Sequence, residues 1–166
     1  KRQRLGVLYL QQCVCVVPAY PNCVAGVDAV VAKIVALGGT YNLFRIHALD
    51  DPERDRLIAG FRQISTKEYD EIIEECQTKF TKEIHFERFR ENYTYEEAEE
   101  IAEDLDKIRR WYARVVDRDW FDAGKRAVVA AELEVCARLL EEFEQEVYQR
   151  VGDDPSSRGT LEHGAR

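Results

Sequence analysis

Four arginines near residue 110 form the most distinctive polar group in this sequence: Arg109, Arg110, Arg114 and Arg118. Because Arg110, Arg114 and Arg118 are spaced by four, an uninterrupted helix presents them on one face. Guanidinium groups arranged in this way suit a tetrahedral dianion. The alternative is pairing with the nearby carboxylates Glu103, Asp106 and Asp117, and we favour this structural interpretation.

Cys13 and Cys15 are the closest pair of thiols in the sequence, and on a strand their side chains point to the same face. Paired thiols could react with an oxidant or bind a metal. We favour the alternative, in which they are small buried hydrophobic residues of a valine-rich strand. With no CxxC motif and no nearby histidine, the pair does not indicate a zinc site.

Carboxylates and histidines give weaker indications of chemistry. Residues 96–104 are rich in glutamate and could hold a hard cation, although such runs are usually the solvated face of a helix. His47, His85 and His163 are far apart, and we expect no catalytic role for any of them. We therefore predict no metal, no cofactor and no enzyme activity.

The first third of the chain reads as a small α/β unit. Residues 6–10 and 13–17 are β-branched and apolar and predict two strands, or one bent strand, before Pro18. Residues 22–37 predict a helix with Val24, Val27, Val31, Ile34 and Val35 on one face, ended by Gly38 and Gly39. An imperfect alternation over 41–49 predicts a further strand.

Helices are predicted from Pro52 to about residue 150. The first covers about 53–91, with a break near Ser65, and a capping box at Thr94 and Glu97 opens the second. The third runs over about 122–148, and a break at 118–122 makes the last two an antiparallel pair. In each of the last two helices, apolar residues recur at alternating intervals of four and three, which predicts a buried seam between the helices. Its residues are Ile101, Leu105, Ile108, Tyr112, Val115, Val129, Leu133, Cys136, Leu140, Phe143 and Val147.

Charge is unevenly distributed along the 166 residues, whose net charge is -8. Residues 1–47 hold five basic side chains and one acid, whereas the remainder holds 19 and 31. Only the first part, and above all Lys1, Arg2 and Arg4, is therefore expected to contact DNA. Such binding should weaken with salt and when the two arginines become alanine.

Cysteine usage and hydropathy place the chain in a reducing compartment. Its five cysteines are an odd number without the spacing of a disulfide scaffold. No apolar run reaches the ~18 residues of a membrane-spanning helix, and no signal peptide pattern is present. We predict a cytoplasmic protein. The absence of methionine leads us to expect a fragment of a longer product.

Several short stretches of this sequence are not distinctive one by one, but their combination and order are specific for one protein family. They are Gly6–Gln11, Val14–Pro18, Leu37–Gly39 followed by Asp51, Glu68–Tyr69 with Glu74–Glu75, Arg90–Glu97, Glu103–Leu105, Arg109–Trp111, Arg118–Phe121 and Phe143–Tyr148. Together they resemble the N-terminal domain of the ChrB chromate-resistance regulators, over roughly residues 4–150.

The resemblance implies an α+β, predominantly helical fold, with a partial ferredoxin-like βαβ start and then a long antiparallel helical hairpin. The implied division is 1–50 for the α/β unit and 51–150 for the helical extension of the same domain. Residues 151–166 are polar and contain glycine, so we expect them to be a disordered tail. We expect the family's first strand and most of its first helix to be missing before Lys1. We likewise expect its C-terminal domain to be absent after Arg150.

The resemblance also implies a regulatory, non-catalytic domain that acts in transcriptional control or in the response to chromate. The effector would be chromate or sulfate at the four arginines, or an oxidant at Cys13 and Cys15. The partners would be DNA, a second copy in a homodimer, or a C-terminal ChrB domain. The alternative is a helical dimerisation protein without effector or DNA binding. A nuclease function ranks third. Such an enzyme would need a carboxylate at the end of the first strand, and we expect that strand to be missing before Lys1.

Overall fold

The computed structural model describes residues 6–152, and in this range a short antiparallel hairpin is followed by helices. This confirms the α+β, predominantly helical class. The elements are β1 (Leu8–Gln11), β2 (Val14–Val16), α1 (Pro21–Ala36), α2 (Asp51–Glu74), a π-helical segment (Glu75–Phe80), α3 (Thr81–Phe89), α4 (Tyr95–Val116) and α5 (Arg126–Gly152).

The β1–β2 hairpin and α1 form as predicted, with small shifts at their ends. The two strands are antiparallel, Leu8 pairs with Val16, and the register is irregular between Tyr9 and Gln11. Helix α1 ends where Gly38 takes a φ of 72°, a conformation that glycine adopts without steric cost. The N–H of the next residue, Gly39, donates to the Ile34 carbonyl at 2.8 Å, and this closes the end of the helix.

The strand predicted over residues 41–49 is wrong, because the structure has no strand there. The alternation of polar and apolar residues in this segment is imperfect, and its apolar side chains face solvent instead of a core. Phe44 is 82% exposed and Ile46 is 65% exposed. A strand needs a neighbouring backbone with which to pair, and no described strand lies beside this segment. The described residues therefore contain no βαβ unit.

The break predicted near Ser65 is also wrong, since α2 continues through this buried residue to Glu74. The irregularity lies further on, in the π-helical segment. There the Thr78 hydroxyl donates to the Glu74 carbonyl at 2.6 Å, and the Thr81 hydroxyl donates to the Cys76 carbonyl at 2.8 Å. Threonine hydroxyls that bond to backbone carbonyls in this way offer an alternative to regular helical hydrogen bonding.

The cap and the apolar stripes of the last two helices are confirmed. The Glu97 N–H donates to Thr94 Oγ1 at 3.2 Å, one half of the predicted capping box. Tyr112 is only half-buried, and its hydroxyl donates to the Arg126 carbonyl at 3.1 Å. The other predicted seam residues of both helices are buried: Ile101, Leu105, Ile108, Val115, Val129, Leu133, Cys136, Leu140, Phe143 and Val147.

The described part of the chain forms two compact units. Among the described residues, the first comprises 6–68 and 114–124, and the second comprises 69–113 and 125–152. Within the first unit, Tyr20 stacks on Trp120 at 5.3 Å and Phe61 packs on Phe121 at 5.2 Å between ring centroids. Within the second unit, α5 lies close to the π-helical segment and to α3.

Candidate functional site

Arg110, Arg114 and Arg118 do not form the row on one helix face that their spacing suggests. Helix α4 ends at Val116, so Arg118 lies beyond it and leaves the four-residue stepping. The Arg118 guanidinium instead pairs with the Glu68 carboxylate, and both side chains are largely buried. Arg109 pairs with Asp106 at 3.5 Å. The predicted pairing with a nearby carboxylate is therefore found for Arg109, whereas the partner of Arg118 is distant in sequence. Arg110 and Arg114 are exposed.

The expectation that Cys13 and Cys15 are buried is wrong, because both are exposed. Cys13 lies in the turn of the hairpin, and only Cys15 belongs to a strand, where it pairs with Tyr9. The two thiols therefore do not share the face of one strand. Their redox role stays a prediction, now for accessible thiols.

The remaining predicted residues give no shared geometry. Lys1, Arg2, Arg4 and His163 lie outside the described residues. His47 and His85 are exposed and belong to different units.

A group of three carboxylates was missed in the sequence. Glu83, Glu87 and Glu97 offer oxygen atoms within 4.8 Å of one another, and Glu87 is only 2% exposed. Burial, together with the charge of Glu87 and other nearby glutamates, raises the pKa of Glu97. The signal was present in the sequence. Cys76, Phe80, Ile84 and Glu87 step along one helix face, so Glu87 occupies an apolar position.

Hydrogen bonds within the turn between α3 and α4 satisfy the buried carboxylate. Asn92 Nδ2 donates to Glu87 at 2.6 Å and to Glu97 at 3.1 Å, and the Arg90 guanidinium pairs with Glu87 at 3.3 Å. The Asn92 N–H also donates to the Glu87 carbonyl at 3.0 Å. The cluster therefore fixes the turn, where Glu91 takes a φ of 55°.

Apolar side chains at the surface of the first unit are the feature that best fits binding. We name the following residues the apolar surface: Val24, Val30, Val35, Leu37, Tyr41, Leu43, Phe44, Ile46 and Leu49, all of them exposed. Leu37 is 87% exposed and Phe44 is 82% exposed.

Few charges interrupt this surface along the chain. Between residues 21 and 49 the ionised side chains are Asp28, Lys33 and Arg45. The cores of protein interfaces are likewise apolar and depleted in charge. On soluble proteins, large exposed apolar patches mark interaction sites.

Fold and surface together define a predominantly helical α+β protein with an apolar surface of the type found at interfaces. The chain belongs to the family described as Protein ChrB, N-terminal, whose model matches residues 1–154. This confirms the predicted resemblance and connects the chain with chromate resistance. None of the curated proteins and none of the solved structures matches it. Among the described helices, none is both long and apolar enough to cross a membrane.

Proposed function

We propose that this chain is a non-catalytic regulatory domain of a chromate-resistance protein, and that it acts in transcriptional control or in the response to chromate by binding another protein. The apolar surface carries this proposal. Leu37 and Phe44 expose most of their area to water, which is costly unless a partner covers them.

The composition of the apolar surface favours a protein partner over nucleic acid. Phosphate binding requires clustered lysine and arginine, and Lys33 and Arg45 are the only such residues between 21 and 49. The chain as a whole carries a net charge of -8. Direct DNA contact, if this domain makes it, therefore falls to the basic residues Lys1, Arg2 and Arg4.

The buried ionised groups support a non-catalytic role, because structural contacts occupy them. Arg118 pairs with Glu68, and Asn92 and Arg90 satisfy Glu87. Asp119 accepts from the Ala123 N–H at 3.0 Å, which fixes the connection after α4. Catalytic groups usually lie open toward a cleft, whereas these carboxylates hold turns and helix ends.

The experiment compares the host strain with a strain that lacks the gene. Transcripts are quantified before and after exposure to chromate at a concentration below the inhibitory one. We expect the chromate-dependent change of a set of transcripts to be lost in the deletion strain and restored by a plasmid copy. An unchanged transcript response in the deletion strain, with normal chromate tolerance, would contradict the proposal.

A second copy of this chain is the other partner that the apolar surface fits. The α4 and α5 stripes are already buried within one chain, so a dimer that uses them is not favoured. A dimer would instead have to cover residues such as Val30, Leu37 and Phe44. Sedimentation velocity over a concentration series separates the two cases, because a dimer of this kind sediments faster as concentration rises, and Phe44→Asp abolishes that increase.

A further inference from the structure

Two buried cysteines that are far apart in sequence lie together in the second unit. Cys76 belongs to the π-helical segment and Cys136 lies on α5. Each is 1% exposed, and both are free thiols. The Cys136 sulfur lies 4.0 Å from the Cys76 carbonyl oxygen, a contact that joins residues 60 positions apart.

The π-helical segment explains why these two residues meet. The Thr81 N–H donates to the Cys76 carbonyl across five residues, the pattern of a π-helix. The Thr81 hydroxyl donates to the same carbonyl at 2.8 Å, and the Cys136 thiol approaches it from α5. Since the π-helical segment lies against α5, the Cys136 side chain reaches the Cys76 backbone across this helix contact.

The pair is also electrostatically asymmetric. A hydrogen bond from the Cys76 thiol lowers the pKa of Cys136, and the same bond together with burial raises the pKa of Cys76. Because the two residues are in contact, either sulfur, once oxidised, has a second thiol beside it that can resolve the intermediate.

We propose that Cys76 and Cys136 are a site of reversible disulfide formation driven by a hydroperoxide. The Cys136 thiolate attacks the outer oxygen of the peroxide. A sulfur–oxygen bond forms as the oxygen–oxygen bond breaks, and an alcohol or water leaves with a proton. The Cys76 sulfur then attacks the Cys136 sulfur, so that the disulfide forms, the sulfur–oxygen bond breaks and a second water carries away the Cys76 proton. The two cysteines lose two electrons and the peroxide gains them.

Because both thiols are buried, an oxidant must reach them through local opening of the helix. π-Helical turns are irregular insertions in a helix that occur often at functional sites, and short openings of this kind need not unfold the domain. Once formed, the disulfide joins α5 covalently to the π-helical segment. Oxidation would therefore change the rigidity of the second unit, independently of the apolar surface of the first.

The test uses the reduced full chain, treated with hydrogen peroxide, blocked with an alkylating agent and digested without reductant. We expect a cross-linked peptide pair that contains Cys76 and Cys136, and its loss after dithiothreitol. Cys13→Ser/Cys15→Ser is the matched background, because it removes the exposed thiols and leaves the buried pair. In that background, Cys76→Ser should leave Cys136 as a sulfenic acid that dimedone labels.

Two results would overturn the proposal. One is full alkylation of both Cys76 and Cys136 after unfolding of the peroxide-treated wild type, which would mean that they serve only as core residues. The other is a disulfide that joins either of them to Cys13, Cys15 or Cys23 instead. Because the peptide map of the wild type decides both, the outcome does not depend on the folding of any variant.

Discussion

The fully buried ring of Phe143 offers a direct test of the second unit's core. Phe143 lies on α5, is 0% exposed and stacks on Tyr93 with ring centroids 5.7 Å apart. Phe143→Ala removes the whole ring and leaves a cavity, which costs about 3–5 kcal/mol of unfolding free energy. In a chain of this length, that loss lowers the melting temperature by about 6–20 °C.

Urea titration followed by circular dichroism at the helix band measures this loss, and Tyr148→Ala is the matched control. Tyr148 is an aromatic residue on the same helix but is 70% exposed. Its truncation should change the unfolding free energy by less than about 0.5 kcal/mol. A loss below about 1 kcal/mol for Phe143→Ala, or equal losses for the two variants, would refute the assigned packing of α5.

Three further predictions concern ionised groups. Because the pKa of Glu97 is raised in the fold, wild-type stability falls as pH rises from the ordinary glutamate pKa of about 4.3 toward the raised value. Glu97→Gln should therefore stabilise the chain at neutral pH by less than about 1 kcal/mol, and thermal melts should show the gain disappearing below pH ~4. Glu68→Gln should cost about 2–4 kcal/mol in urea titration, because it leaves the Arg118 charge largely buried without its partner; a neutral effect would contradict the pairing. Titration calorimetry with chromate should show no saturable binding at millimolar concentration, since Arg109 and Arg118 are already paired; saturable binding that sulfate competes away would restore the anion site.

The helical half was predictable because its pattern is local. Leu105, Ile108, Leu133 and Leu140 repeat with the period of a helix, and burial of one face enforces that period. The Thr94 cap was predictable for the same reason, since its partner Glu97 lies within one turn.

What the sequence missed depends on neighbours distant in the chain. Residues 41–49 alternate like a strand, but no strand of the described residues pairs with them. Cys15 resembles a core residue of a valine-rich strand, yet its exposure depends on what covers the hairpin. Arg118 does not share a helix face with Arg110 and Arg114, because α4 ends two residues before it. The spacing of the arginines does not determine where the helix ends.

The most direct test of the central proposal uses the apolar surface itself. Phe44→Asp places a charge on that surface, and Phe89→Asp is the matched control, because Phe89 is 85% exposed in the second unit. Both variants are expressed in the deletion strain, and chromate-dependent transcripts are quantified. The proposal predicts that Phe89→Asp restores the response and that Phe44→Asp, present at the same protein level, does not. A full response with Phe44→Asp would contradict it.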